Sequence, residues 1–179
     1  IGAFKCEKWE VRNAAAWALG KMRAKEAVGT LIAALKDEDS DVREAAARAL
    51  GEMRAKEAVG TLIATLKNGN SYERCAAAAA LVKIGKGAAK PLIEALKDRE
   101  GDVRCSAAMI LGMIKAKEAV GPLIGRLKDC ELGCVFFGRR RVALVPTTVS
   151  AEAAKALKKI TGENLGEDYD RWLDWWRRR

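Results

Sequence analysis

Apolar residues recur along this chain with the period of an α-helix, in two alternating stripes. In the first, Val28, Leu31, Ile32 and Leu35 fall at steps of three, one and three, which is a single apolar face on a helix. In the second, Val42, Ala46, Ala49, Leu50 and Met53 make a similar face, matched position for position by Val103, Ala107, Ile110, Leu111 and Ile114. Polar turns such as KDEDSD (36–41) separate the stripes, and Asp41 is placed to cap the helix it precedes, where an acid suits the positive end of the dipole. The pattern predicts first helices near 25–36, 56–67, 87–97 and 117–128, and second helices near 10–22, 41–53, 72–84, 102–114 and 150–160.

The stripes belong to a repeat. MRAKEAVGTLIA occurs at 22–33 and again, unchanged, at 53–64, and KAKEAVGPLIG returns at 115–125. Val42-Arg43 follows Val11-Arg12 by 31 residues and Val103-Arg104 follows by a further 61, with a weaker copy at Glu73-Arg74 between them. The missing residue falls in the turn around IGKGAAK (84–90), where Gly85 and Gly87 replace the usual RAKE. One such helix pair cannot bury its apolar face alone, whereas stacked pairs can, so the repetition predicts a solenoid of helical hairpins.

Pro91 and Pro122 in the first helix, Asp98 and Asp129 in the turn and Val103-Arg104 opening the second helix give the unit its character. It resembles a HEAT repeat, of the short HEAT-like type named after the phycobilisome lyases, densely over residues 9–128 and weakly beyond. Thr30 and Thr61 stand at the proline position in the earlier units. The resemblance implies an all-α fold, a right-handed α-solenoid of stacked hairpins, read here as one repeat array over residues 1–179. The array opens on a second helix: either IGAFKCEK (1–8) is a degenerate cap or an upstream helix is absent. At the other end Tyr169, Trp172, Leu173 and Trp176 share one face of a last helix near 168–177, which resembles the closing cap of such arrays and predicts a lid rather than a ligand site.

Composition narrows the chemistry. Hydrophobic residues make up 50% and charged residues 32% of the 179, which suits a folded repeat protein rather than a disordered chain. No apolar run approaches the length of a membrane span and no signal-peptide pattern opens the chain, so no membrane partner and a cytoplasmic location are expected. Five irregularly spaced cysteines argue against a disulfide framework, and Cys130 with Cys134 alone makes a poor metal site. The absence of histidine removes His-based acid–base and triad mechanisms and most zinc and iron sites. With no Gly-rich phosphate loop, no nucleophile beside a base and no pocketed acid pair, a non-enzymatic protein without a cofactor is expected. Among related HEAT-like enzymes, the deoxyhypusine hydroxylases bind iron through His-Glu motifs that this chain lacks, and no base pocket like that of the HEAT-like DNA glycosylases can be carried over.

The resemblance implies that second helices line the concave face. Their outward positions include Trp17, Arg48, Glu52, Cys75, Ala79, Lys83, Cys105, Met109, Met113 and Lys155. Cys105, Met109 and Met113 form an i, i+4, i+8 stripe of polarizable side chains suited to adaptable contact, with charges as a polar rim. This predicts a concave site for a protein or peptide partner; the alternative is that the stripe packs against neighbours. Cys75 and Cys105, at equivalent positions on adjacent helices ~8–10 Å apart, lie beyond usual disulfide reach and are expected as thiols.

Two other surfaces compete. Basic turns (Lys21, Arg23, Lys25; Arg54, Lys56; Lys83, Lys86; Lys115, Lys117) form a positive edge opposite acidic turns, and the net charge is +9. That edge could follow a phosphate backbone, but helix dipoles account for it and no aromatics interleave to stack bases. The second is an insertion of 15 residues within CELGCVFFGRRRVALVP (130–146), which reads as two strand-like runs about Gly138. A lone hairpin is marginal, so it should lean on the solenoid or on another molecule, with Phe136, Phe137, Arg139, Arg140 and Arg141 as a docking hook. The resulting expectation is a protein-binding scaffold, with a nucleic-acid-binding module or a phycobilin lyase or chaperone-like subunit as alternatives, and self-association through the N-terminal edge as a further route.

Overall fold

The computed structural model describes residues 2–137 and 143–179, and the side chains of these except 134–137 and 143–145. The chain divides into two compact units, Ile1–Ala88 and Ala89–Arg179. The first contains α1 (Trp9–Met22), α2 (Val28–Ala34), α3 (Ser40–Glu52), α4 (Val59–Asn68) and α5 (Ser71–Ile84). The second contains α6 (Ala89–Ala95), α7 (Gly101–Met113), α8 (Val120–Gly125), β1 (Leu132–Phe137), β2 (Ala143–Thr148), α9 (Val149–Thr161) and α10 (Tyr169–Arg177). Helical hairpins dominate both, as the stripes predict, and the insertion adds one antiparallel pair with Val135 opposite Val145.

Within the first unit α3 lies between α1 and α5, while α2 packs on α3 and α4 on α5. Leu31, Val42, Ala46, Leu50, Leu62 and Leu81 are fully buried between them. The first helices are shorter than the stripes suggest, because Lys25–Ala27, Lys56–Ala58 and Lys117–Ala119 form 3₁₀ turns ahead of the α-helix proper. Asp39, not Asp41, caps α3: its carboxylate accepts from the amides of Asp41 and Val42, because the helix begins a residue earlier than the apolar stripe. Arg23, Arg54 and Lys115 take left-handed conformations just beyond α1, α3 and α7. There the chain reverses into the next 3₁₀ turn, and a cation meets the negative end of the dipole.

Two recurrent devices hold the stacks. The first is steric. A Cβ added to Gly20 would lie 2.7 Å from the Ala49 backbone, and one on Gly51 would lie 2.7 Å from that of Ala80. The same relation joins Gly112 to Ala156 in the second unit. A glycine on one second helix thus lets the backbone of the next approach closely, over an alanine.

The second device is the arginine of the Val-Arg pair. Arg12 donates from Nε and Nη2 to both oxygens of Asp37 (2.9 and 2.8 Å), and from Nη1 to the carbonyls of Cys6 and Glu7 (2.9 and 2.8 Å). Arg104 repeats this with Asp129 (2.8 and 3.2 Å) and the carbonyls of Asp98 and Arg99 (2.7 and 2.9 Å). Each guanidinium therefore ties the turn before its own helix to the turn after the following first helix, and each is nearly buried. The acidic turns are in large part the partners of these arginines.

The weaker copy obeys the same rule by other means. Asn68 stands where Asp37 and Asp129 stand, and cannot supply a carboxylate. Glu73 replaces the valine of the other units, and its carboxylate accepts from Nε and Nη2 of Arg43 (3.1 and 2.8 Å), while Arg43 Nη1 donates to the Asp37 and Glu38 carbonyls. Asn70 adds a bond to the same Glu73 oxygen at 2.7 Å and caps α5 through its own carbonyl. What looks like sequence decay is a relocated acid.

Restoring the valine tests this account. Glu73→Val should cost about 1–2 kcal/mol by urea unfolding, since Arg43 loses its charged partner. Adding Asn68→Asp, which lies with Arg43 and Glu73 around one surface cavity, should recover most of it; a double variant no more stable than the single one would show that the acid is not interchangeable. The pH profile offers a second check. The Arg12 guanidinium holds the Asp37 carboxyl below its ordinary value of 3.8. A depressed carboxylate stabilises above its unfolded pKa and loses that contribution as pH falls through the folded one. Acid unfolding of Asp37→Asn should therefore have a shallower pH dependence below pH about 4 than the parent.

Candidate binding face on the second helices

In the first unit the outward sides of α1, α3 and α5 carry Trp17, Arg48, Glu52, Ala79 and Lys83 in the open, with Cys75 half-buried. Trp17 is 62% exposed, an unusual state for the largest apolar side chain, and the Lys21 ammonium lies 5.6 Å from its ring centre. Asn13, Trp17, Lys21, Glu44, Arg48 and Glu52 line an open cavity of about 390 Å³, floored where Gly20 meets Ala49. The close approach of α1 and α3 sets the depth of this groove. Its charges are largely compensated in place, for Arg48 pairs with Glu44 and Lys83 with Glu52. The Lys83 ammonium holds the Glu52 carboxyl below its usual range, and burial pushes the Cys75 thiol up.

The second unit corrects the sequence reading. Cys105 and Met109 are not on an open surface: they are 0% and 5% exposed, and only Met113, at 47%, remains in the open. For Cys105 the insertion is the reason, since β1 packs on α7 with Gly133 against the thiol. Two glycines allow it. A Cβ on Gly133 would sit 2.6 Å from the Cys105 sulfur, and one on Gly101 would meet the Leu132 carbonyl at 2.7 Å. Gly101 stands at the first helical position, where Ser40 and Ser71 stand in other units, and α7 has no side-chain cap, unlike α3 and α5. That exchange of serine for glycine was the available sign that something would lie on this helix. Lys155 is exposed and pairs with the buried Glu152.

The hook residues divide. Phe136 and Phe137 pair through their backbones with Leu144 and Ala143 in the hairpin, while their side chains, and Arg139, Arg140 and Arg141 entirely, lie outside the described residues. The basic turns are exposed throughout. At the C-terminal end Trp172 is fully buried and donates from Nε1 to the Gly166 carbonyl at 2.8 Å, with α10 packed on α8. It acts as a lid, although Trp176 stays 45% exposed. Among the described residues no cluster of three or more potential ligands is placed to hold a metal, and no helix is long and apolar enough to cross a membrane.

Stacked Gly–Ala contacts, a recurrent arginine and apolar stripes at a fixed period define an α-solenoid of helical hairpins. The chain belongs to the HEAT-repeat family, whose model matches residues 2–81 and 59–133. Among solved structures it is similar to a chain of the complex of CpcE and CpcF of phycocyanin lyase from Nostoc sp. PCC7120, at 28% identity and a TM-score of 0.58. That similarity covers 96% of this chain and 66% of the other, so this chain spans just under two thirds of its length. An engineered protein of known crystal structure shares the fold at 22% identity, with a TM-score of 0.53 over 89% of this chain and 76% of its own. Comparison with curated proteins found no match.

The seating of the hairpin has a chemical readout. Burial, with Glu152 and Asp102 nearby, pushes the Cys105 thiol up to about 12, whereas the Cys130 residue is exposed. A thiol reagent at pH about 8 should modify Cys130 promptly and Cys105 only on unfolding, because the thiolate is the reactive form. Mass mapping after brief labelling decides it; prompt modification of Cys105 would mean that β1 does not cover α7.

Proposed function

We propose that this chain is a non-enzymatic scaffold that binds a protein or peptide partner on the second-helix face, anchored by Trp17. The observation that carries this reading is an exposed tryptophan over an open groove whose charges are largely paired. Aromatic anchors ringed by polar groups are the usual centres of binding patches. Arg48, Glu52 and Lys83 supply the charged groups of the Trp17 face in the first unit. Burial of Cys105 and Met109 moves the centre of the site away from the methionine stripe and onto α1 and α3.

A second reading has one specific support, the similarity to a chain of the phycocyanin lyase complex. On that reading the chain is a subunit that handles a tetrapyrrole, with Trp17 stacking on the pigment.

Panning a displayed random-peptide library on the purified protein separates these readings. The expected outcome is a set of peptides whose binding persists at about 0.5 M salt and falls at least tenfold in Trp17→Ala. Peptides held equally by the variant would remove Trp17 from the site. Nucleic acid bound at low salt and released at high salt would transfer function to the basic turns. A bilin whose absorbance shifts with the parent but not with Trp17→Ala would favour the pigment reading.

A further inference from the structure

The groove between α1 and α3 is chemically uneven along its length. Its openness comes from helix position rather than from place in the stack. Arg48 and Ala79 stand where Trp17 stands and are exposed too, although α3 has a helix on either side. At one end Lys83 pairs with Glu52, with Lys21 and Arg23 close by, and further along Arg48 pairs with Glu44. At the other end Asp41 is exposed on the groove wall and makes no ion pair among the described residues. The Asn13 amide, half-buried on the facing wall, makes no hydrogen bond among them either. Beside the indole, then, the groove has one carboxylate and one amide to offer.

The spacing suits a guanidinium. Gly20 meets Ala49, which puts Trp17 level with Ala46, and Asp41 lies about 7 Å further back along the helix axis. Helical side chains lean toward the N-terminus, so the indole leans toward Asp41. Its face already draws a cation: the Lys21 ammonium lies 5.6 Å from the ring centre, close to the outer limit of about 6 Å for such a contact. A guanidinium can lie flat on the ring while its N–H fork meets a carboxylate, which the point charge of an ammonium cannot do.

The backbone conformation of the occupant has a precedent in the second unit. There β1 lies extended on α7, with Gly133 against Cys105, the residue that stands where Asn13 and Glu44 stand. An extended chain laid on α1 and α3 at that level would bring its peptide groups to the Asn13 amide, which both donates and accepts.

We propose that the groove takes an extended segment of a partner protein that carries an arginine, with the guanidinium stacked on Trp17 and paired with Asp41 and the backbone held by Asn13. This assignment rests on the reading of the Trp17 face as the binding site. The net charge of +9 opposes a cationic segment only at long range, because charges more than about 8 Å apart are screened at physiological ionic strength.

The test begins with the peptides that panning on the parent protein selects. They should share an arginine. Resynthesised with citrulline, which keeps the shape and removes the charge, they should bind about five- to tenfold more weakly by fluorescence anisotropy at about 0.1 M salt. In Asp41→Asn the same exchange should cost about threefold or less. Asp41 is exposed and Asp39 caps α3, so this variant should keep the parent's helical circular dichroism. Trp17-dependent peptides that share no arginine, or that lose nothing with citrulline, overturn the proposal and leave the Trp17 face standing. An equal citrulline penalty in parent and Asp41→Asn also overturns it, and acidic peptides would move the contacts to Lys21 and Arg23. Failure to select any Trp17-dependent peptide overturns both this assignment and the reading beneath it.

Discussion

An arginine that reaches across one hairpin is the interaction on which this architecture depends. Apolar stripes bring helices together but leave their relative height along the stack loosely defined, since one alanine-rich face slides over another at little cost. A guanidinium has a fixed fork, and here it takes a carboxylate on one side and two turn carbonyls on the other. Both the preceding turn and the following one are thereby fixed to a single helix. Desolvating such a charge is costly unless all its donors are engaged. The carbonyls of the turns, otherwise unpaired at helix ends, are what engage them.

Close packing supplies the remaining rigidity, and its interruptions have meaning. Glycine over alanine joins α1 to α3, α3 to α5, and α7 to α9. At the glycine position α5 carries Val82, and at the alanine position α7 carries Ile110. The chain divides into its two units between these helices, at Ala88 and Ala89. In the second unit a different glycine pair, Gly101 and Gly133, brings a β-hairpin onto α7. A single device, removal of a Cβ, therefore produces helix stacking in one place and strand docking in another.

Much of the fold was legible because repetition multiplies weak signals. A lone stripe such as Val28 to Leu35 is ambiguous; recurring at a fixed interval beside a Val-Arg pair, it specifies hairpins and their order. The helix starts were less legible, since Asp39 and Asp41 are both reasonable caps and only the backbone decides between them. The exposed side of the second helices was half legible. Trp17 could be placed outward from periodicity alone, and the structure keeps it there. Cys105 and Met109 could not be read correctly in the same way, because helical period says which side a residue is on, not what lies over that side. For Cys105 the cover came from an insertion whose docking depends on glycines, residues that leave no apolar pattern to read.

Two segments of this chain, 22–33 and 53–64, are identical, so nothing in their own chemistry tells one from the other while the protein is folding. A nascent stack displaced by one unit would satisfy the same apolar stripes. The exchange of valine for Glu73 sets one copy apart from the others. In a stack displaced by one unit Glu73 would stand where Val42 stands, beside Arg12, and Asn68 would take the place of the Asp37 carboxylate that this arginine holds. The two copies therefore differ in which acid answers the arginine, an aspartate in the turn for Arg12 and a glutamate on the next helix for Arg43, and that difference is the mark by which one unit can be told from the other.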